Sequence, residues 1–134
     1  MKRTSPLRRT RRTAKRAARK TGPSAETRQI VFDRDRAQCV RCGRDVSTYP
    51  SNFQHRRPRG MGGTSDPTVN LPSNGIVLCG SGVTGCHGWV ESHREEAHEY
   101  GWSIPWWADA TAYPVRYPDG HSYYLTDDGR KVPA

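Results

Sequence analysis

Long apolar runs are missing from this 134-residue chain. No stretch approaches the roughly 18 apolar residues that a membrane-crossing helix needs. The basic start is not followed by the apolar segment of a secretory signal. Hydrophobic residues make up only 33% of the chain, with two Phe and two Met, so any apolar core is small. Domains of this kind lean on a bound metal or on cross-links. Acidic residues are absent from Met1–Lys20, which carries ten Lys/Arg, and the remainder holds 12 basic against 13 acidic residues. The formal charge of +9 therefore belongs to the N-terminal arm. No internal repeat is present. These absences exclude a membrane-crossing helix; the expectation is one domain with tails, in the cytoplasm. There, paired thiols more often hold metal than form disulfides.

What the chain does have is that arm, residues 1–23. A block of like charge repels itself and buries nothing, so the arm is expected to be disordered when free. Its natural partner is a polyanion. Arg8, Arg9, Arg11 and Arg12 are candidate phosphate contacts, strongly dependent on salt. A solubilising tail, an address signal or a mitochondrial-type transit peptide are the alternatives.

Residues 24–101 carry the motifs. Ser24 is placed to cap a helix from Ala25 to Arg34, with Glu26 in its first turn. Cys39-Val-Arg-Cys42, followed by Gly43, reads as a tight turn pointing two thiolates at one metal. Phe53–Arg57 is a candidate strand carrying His55. The run from Pro58 to Asp66 contains Gly60, Gly62 and Gly63 and reads as a loop. Asn74-Gly75 is a turn signal, and Ile76–Leu78 a short strand ending on Cys79. His87 opens a helix to about Tyr100, stopped by Gly101, with Trp89, Val90, His93 and Ala97 on its buried face. Residues 102–134 form an aromatic extension in which Tyr113–Tyr117 and His121–Thr126 read as a β-hairpin around Pro118-Asp119-Gly120.

All four cysteines, Cys39, Cys42, Cys79 and Cys86, fall into two pairs. A tetrahedral four-thiolate zinc site suits two such loops, and it is structural because four protein ligands leave no open position. The second pair spans six residues, and its glycines let it fold back. Two disulfides or free thiols are the other readings.

The order of residues in FQHRRPRGMGGTSDPTVNLPSNGIVLCGSGVTGCH goes further. A histidine in a strand, a Gly-rich loop, Asn74 five residues before Cys79, and Cys86-His87 opening a helix resemble the HNH endonuclease family, in its four-cysteine form found in bacteria and phages. The resemblance covers about Val31–Tyr100. It implies an α+β fold: a small ββα-metal unit stapled by the four-cysteine zinc knuckle. It also implies that His55 is the general base toward water, that Asn74 ties the loop together and holds the His55 ring, and that His87 is a ligand of one catalytic divalent ion, Mg²⁺ or Mn²⁺. The family carries Asp or His before the base, and this chain has Gln54. An amide oxygen is a weaker ligand for a hard cation than a carboxylate. Glu91, one helical turn beyond His87, lies on the correct face to help, ahead of His93.

Arg56, Arg57 and Arg59 follow the base directly and are expected to clamp backbone phosphates. Trp102, Trp106 and Trp107 are expected to pack the extension against the helix, with stacking on bases as the alternative. The resulting expectation is a single-metal endonuclease hydrolysing DNA, double-stranded by family likeness. By analogy with phage relatives it would assist a terminase in packaging. The competing reading is a non-catalytic zinc-stapled module that binds nucleic acid. A thiol oxidoreductase is weaker still, because the CxxC lacks a βαβ setting.

Overall fold

The computed structural model describes residues 22–59 and 66–134. The expectations for Arg8, Arg9, Arg11 and Arg12, and for the glycines of the 60–65 loop, lie outside the described residues. Among the described residues the fold is mixed α+β, with three α-helices and two small antiparallel sheets.

The first helix, α1 (Ala25–Arg34), starts where Ser24 accepts a hydrogen bond from the Thr27 N–H, as an N-cap should. Only Val31 of α1 is fully buried, so tertiary ties hold the helix. The Arg34 guanidinium donates to the Pro72 and Gly75 carbonyls at 2.8 and 2.6 Å and pairs with Asp35 at 2.9 Å. Asp35 is itself buried. It accepts from the Val77 N–H at 3.0 Å and the Tyr117 hydroxyl at 2.6 Å. Burial and the Asp35 charge push the Tyr117 phenol well above its ordinary range, which keeps it a donor. One carboxylate thus joins α1, the central strand and the C-terminal extension.

Strand β1 (Ser51–His55) pairs with β2 (Gly75–Cys79) in the register Ser51↔Cys79 through His55↔Gly75. β2 is buried along its whole length, as its unbroken Ile-Val-Leu run requires. The candidate strand 53–57 is shifted. The strand ends at His55, although the Arg56 N–H still donates to the Asn74 carbonyl at 2.8 Å, one step further along the same register. The predicted Asn74-Gly75 turn is also not one. Asn74 closes a short 3-10 turn, Pro72–Asn74, and Gly75 opens β2 in extended conformation. Glycine is needed there for another reason: a Cβ would sit 2.0 Å from the Phe53 ring.

The predicted helix 87–100 is two helices, α2 (Gly85–Ser92) and α3 (Arg94–His98). The break falls at His93, with φ −131° and ψ 46°. Ser92 Oγ donates to the Gly88 and Trp89 carbonyls, and His93 Nδ1 lies 2.9 Å from the Trp89 carbonyl. Side chains here compete for the acceptors that the helix ladder would use. Val90 and Ala97 face the core as expected.

The extension forms a three-stranded antiparallel sheet of β3 (Val115–Arg116), β4 (Ser122–Leu125) and β5 (Lys131–Pro133). The expected hairpin is β3–β4, and β5 adds a strand not foreseen. Val115, Tyr117, Leu125 and Trp102 share one core with Val31, Val40, Ile76, Leu78 and Val90. Trp102 packs as expected. Trp106 and Trp107 do not: they are 73% and 65% exposed.

Candidate metal centre and adjoining cleft

The first cysteine turn is built by backbone bonds from Gly43 N–H to the Cys39 carbonyl (2.8 Å) and from Cys39 N–H to the Arg44 carbonyl (2.9 Å). The Val40 N–H donates to the Val77 carbonyl at 2.9 Å, seating the turn on the free edge of β2. The second loop folds back on itself through the Ser81–Thr84 bridge. Gly80 permits this, with φ +93° and the Thr84 carbonyl 2.2 Å from where a Cβ would stand.

Together the two turns bring the sulfurs of Cys39, Cys42, Cys79 and Cys86 within 4.8 Å of one another. None is in a disulfide, and Cys42 Sγ stands 3.8 Å from Cys79 Sγ. Ligands about 2.3 Å from a tetrahedral ion lie roughly 3.8 Å apart. The cluster could hold a metal ion such as zinc. Burial pushes the Cys39 and Cys86 thiols up, so a cation is needed to hold those two as thiolates. Two further groups favour anionic sulfur: Arg41 donates to Cys86 Sγ at 3.3 Å and the Cys86 N–H to Cys79 Sγ at 3.5 Å. Arg41 is clamped over the Trp89 ring, 4.1 Å from its centroid.

Along β1, from Asn52 to His55, lies an open cleft of about 530 Å³, lined by Gln54, His55, His87, Glu91 and the arginines Arg28, Arg59 and Arg94 among others. β1 supplies Gln54 and His55, and α2 supplies His87 and Glu91. The predicted site residues from these two elements therefore line one cleft. Glu91 accepts from Arg94 at 3.0 Å. His93 is not part of this group. It stacks on Trp89 at 4.7 Å.

Two buried side-chain atoms have no hydrogen-bond partner among the described residues: Gln54 Oε1 and His87 Nδ1. Gln54 is fully buried, with its Nε2 donating to the His55 carbonyl at 3.1 Å. Native structures rarely leave such atoms orphaned, and each costs about 1–3 kcal/mol unless something binds it.

His55 Nε2 is 2.8 Å from Asn70 Oδ1. With a carbonyl oxygen facing it, Nε2 carries the hydrogen and Nδ1 the lone pair. Burial lowers the His55 pKa, as do the charges of Arg59, Arg28 and Arg94, against the opposing Asn70 hydrogen bond. The ring is therefore neutral near pH 7. Asn74 does tie the loop: it accepts from the Arg57 N–H at 2.8 Å and donates to the Val69 carbonyl at 2.8 Å. It does not hold the His55 ring. Asn70 does, and nothing in the sequence distinguished it from Asn74 except position.

Arg56 is corrected outright. It is fully buried and donates to the carbonyls of Gly101, Ser73, Ala110 and Tyr113, each at 2.8 Å. A guanidinium sealed in this way cannot reach phosphate. Arg57 pairs with Asp66 at 3.1 Å and donates to Thr68 Oγ1 at 2.6 Å. Arg59 lines the cleft. Arg28 and Arg94, on α1 and α3, are the basic residues that sequence reasoning missed. Helical arginines give no local signal of such a role, and only tertiary packing brings them to His55.

Comparison with family models, curated proteins and solved structures finds no match to this chain. Among the described residues, no helix is long and apolar enough to cross a membrane.

Proposed function

We propose that the chain is an HNH-type endonuclease that hydrolyses phosphodiester bonds in DNA, with zinc held by Cys39, Cys42, Cys79 and Cys86 as a structural staple. The observation that carries this reading is the pair of orphaned buried atoms, Gln54 Oε1 and His87 Nδ1, on residues that share a cleft with a fixed neutral histidine. The order β1, β2, α2, with the histidines at the end of β1 and the start of α2, supports a ββα-metal unit.

The donor types suit a divalent cation. Gln54 and His87 have coordinating atoms with no other use, and Glu91 offers a carboxylate at the same cleft. Mg²⁺ or Mn²⁺ bound there would supply Lewis-acid stabilisation of charge on the phosphate and the leaving oxygen. The chain's own residues do the rest. Asn70 keeps hydrogen on His55 Nε2, so His55 Nδ1 is the base that takes a proton from the attacking water. Arg28, Arg59 and Arg94 attract and orient the phosphate. The ten basic residues of Met1–Lys20 add affinity that reads no sequence.

The amide at position 54, and the Glu91–Arg94 pair that occupies the available carboxylate, favour the second reading, a non-catalytic zinc-stapled nucleic-acid-binding module. Supercoiled plasmid with Mg²⁺ or Mn²⁺ separates the two. The nuclease converts plasmid to open-circular or linear form, and His55→Ala abolishes this at unchanged zinc content and melting temperature. Wild type and His55→Ala equally inert across metals leaves the binding module.

A further inference from the structure

Trp106 and Trp107 are the largest apolar surfaces that the proposed chemistry leaves unused. They are not exposed because their segment is loose. Ile104 and Ala108, on either side, are buried. The Ala108 N–H donates to the Pro105 carbonyl at 3.0 Å, closing the turn, and the Ile104 N–H donates to the Arg56 carbonyl at 2.8 Å. The turn is thus pinned to the residue next to His55, with two indoles at its tip. Both line a second cleft, of about 790 Å³, with Arg57, Pro58, Arg59 and Val69. Asp66, the carboxylate among the lining residues, is paired with Arg57. Pro58 and Arg59 also line the His55 cleft, so the two clefts adjoin along one basic edge.

We infer that Trp106 and Trp107 form a stacking platform for unpaired bases of the strand whose phosphate enters the His55 cleft. This rests on the nuclease reading and adds its substrate class, a strand locally single-stranded beside the scissile bond. Charge complementarity and continuity with the His55 cleft argue for nucleic acid. The flat faces argue for unpaired bases, because bases inside a duplex already stack on each other and offer no face. A pinned turn presents the rings without an ordering cost. Stacking on aromatic rings is also tolerant of sequence, so the platform needs no base-reading side chain beside it.

The test uses the full-length, zinc-loaded His55→Ala chain, so that no strand is cut, and reads fluorescence anisotropy of a labelled oligothymidylate and of an abasic strand with the same number of phosphates. Trp106→Ala/Trp107→Ala should weaken oligothymidylate binding on the order of 30-fold, and phenylalanine at both positions should restore most of it. The abasic strand should bind parent and double variant alike, and weakly. Equal affinity of parent and double variant for oligothymidylate overturns the platform. So does a parent that is a dimer and a double variant that is a monomer, which assigns the patch to a second copy. Neither result touches the nuclease reading, which stands or falls on plasmid cleavage by the wild type.

Discussion

In an Arg56→Ala variant, three buried carbonyl oxygens, those of Gly101, Ser73 and Ala110, and the partly buried one of Tyr113 lose their donor together. Each unpaired buried acceptor costs about 1–3 kcal/mol. Relief from burying a charge offsets part of that, and removing one partner of a buried ionic network typically costs a net ~3–5 kcal/mol. Against a domain stability of roughly 5–15 kcal/mol, this is a large fraction. Burial pushes the Arg56 pKa down to about 10, still far above neutral, so the lost group is a cation at working pH. The expected result is a urea midpoint lowered by about a third or more and a melting temperature lower by ~15 °C or more. Arg56→Lys recovers less than half of the loss, because an ammonium cannot span acceptors on separate segments as a planar guanidinium does. Arg59→Ala, by contrast, should cost less than ~1 kcal/mol in stability while weakening DNA binding. A folded Arg56→Ala protein that melts within ~2 °C of wild type and loses about one phosphate contact in the salt dependence of DNA binding would refute the buried-strut argument.

Removing zinc with a chelator, or substituting Cys79→Ala, should release about one zinc per chain and unfold the core, read together by a metal-sensitive dye and circular dichroism. Asn70→Ala should slow plasmid nicking by ~10- to 100-fold through a misoriented His55, with melting shifted by only a few degrees; an unchanged rate would show that the ring needs no such support. Gln54→Asp should lower the Mg²⁺ concentration for half-maximal cleavage by ~10-fold, because a carboxylate binds a hard cation better. The same variant should lose about 1–3 kcal/mol without metal, since a buried carboxylate then lacks a partner. Unchanged metal dependence would place the cation elsewhere.

Local signals served well where local chemistry decides. Ser24 and Glu26 fixed the start of α1, the apolar run fixed β2, and cysteine spacing anticipated the thiol cluster. Motif order grouped Gln54, His55, His87 and Glu91, and all four line one cleft. What stayed hidden depends on burial and on distant partners. Arg56 and Arg57 look alike in sequence, and only the packing of the C-terminal extension makes one a core strut and the other a surface ion pair. The periodicity after His87 runs through Ser92 and His93, whose side-chain bonds to carbonyls interrupt the helix unseen. Trp102 and Trp106 are equally apolar, yet only Trp102 finds a core to enter, its indole N–H donating to the Arg116 carbonyl at 2.9 Å.

The β1–β2 ribbon is five residue pairs long, with Cys79 opposite Ser51 at one end and His55 opposite Gly75 at the other. Roughly 14 Å of strand therefore separates the Ser51–Cys79 pair from His55, while on α2 the thiol cluster and the cleft are one residue apart, at Cys86 and His87. Length, as well as residue identity, is what this ribbon must keep. Inserting or deleting one residue between positions 51 and 55 would rotate every side chain beyond it to the opposite face, taking His55 out of the cleft even with all four sulfurs in place. The 81–84 turn carries a duty of its own toward both ends, because Thr84 is the residue from which α2 starts, and so it sets where Cys86 and His87 stand.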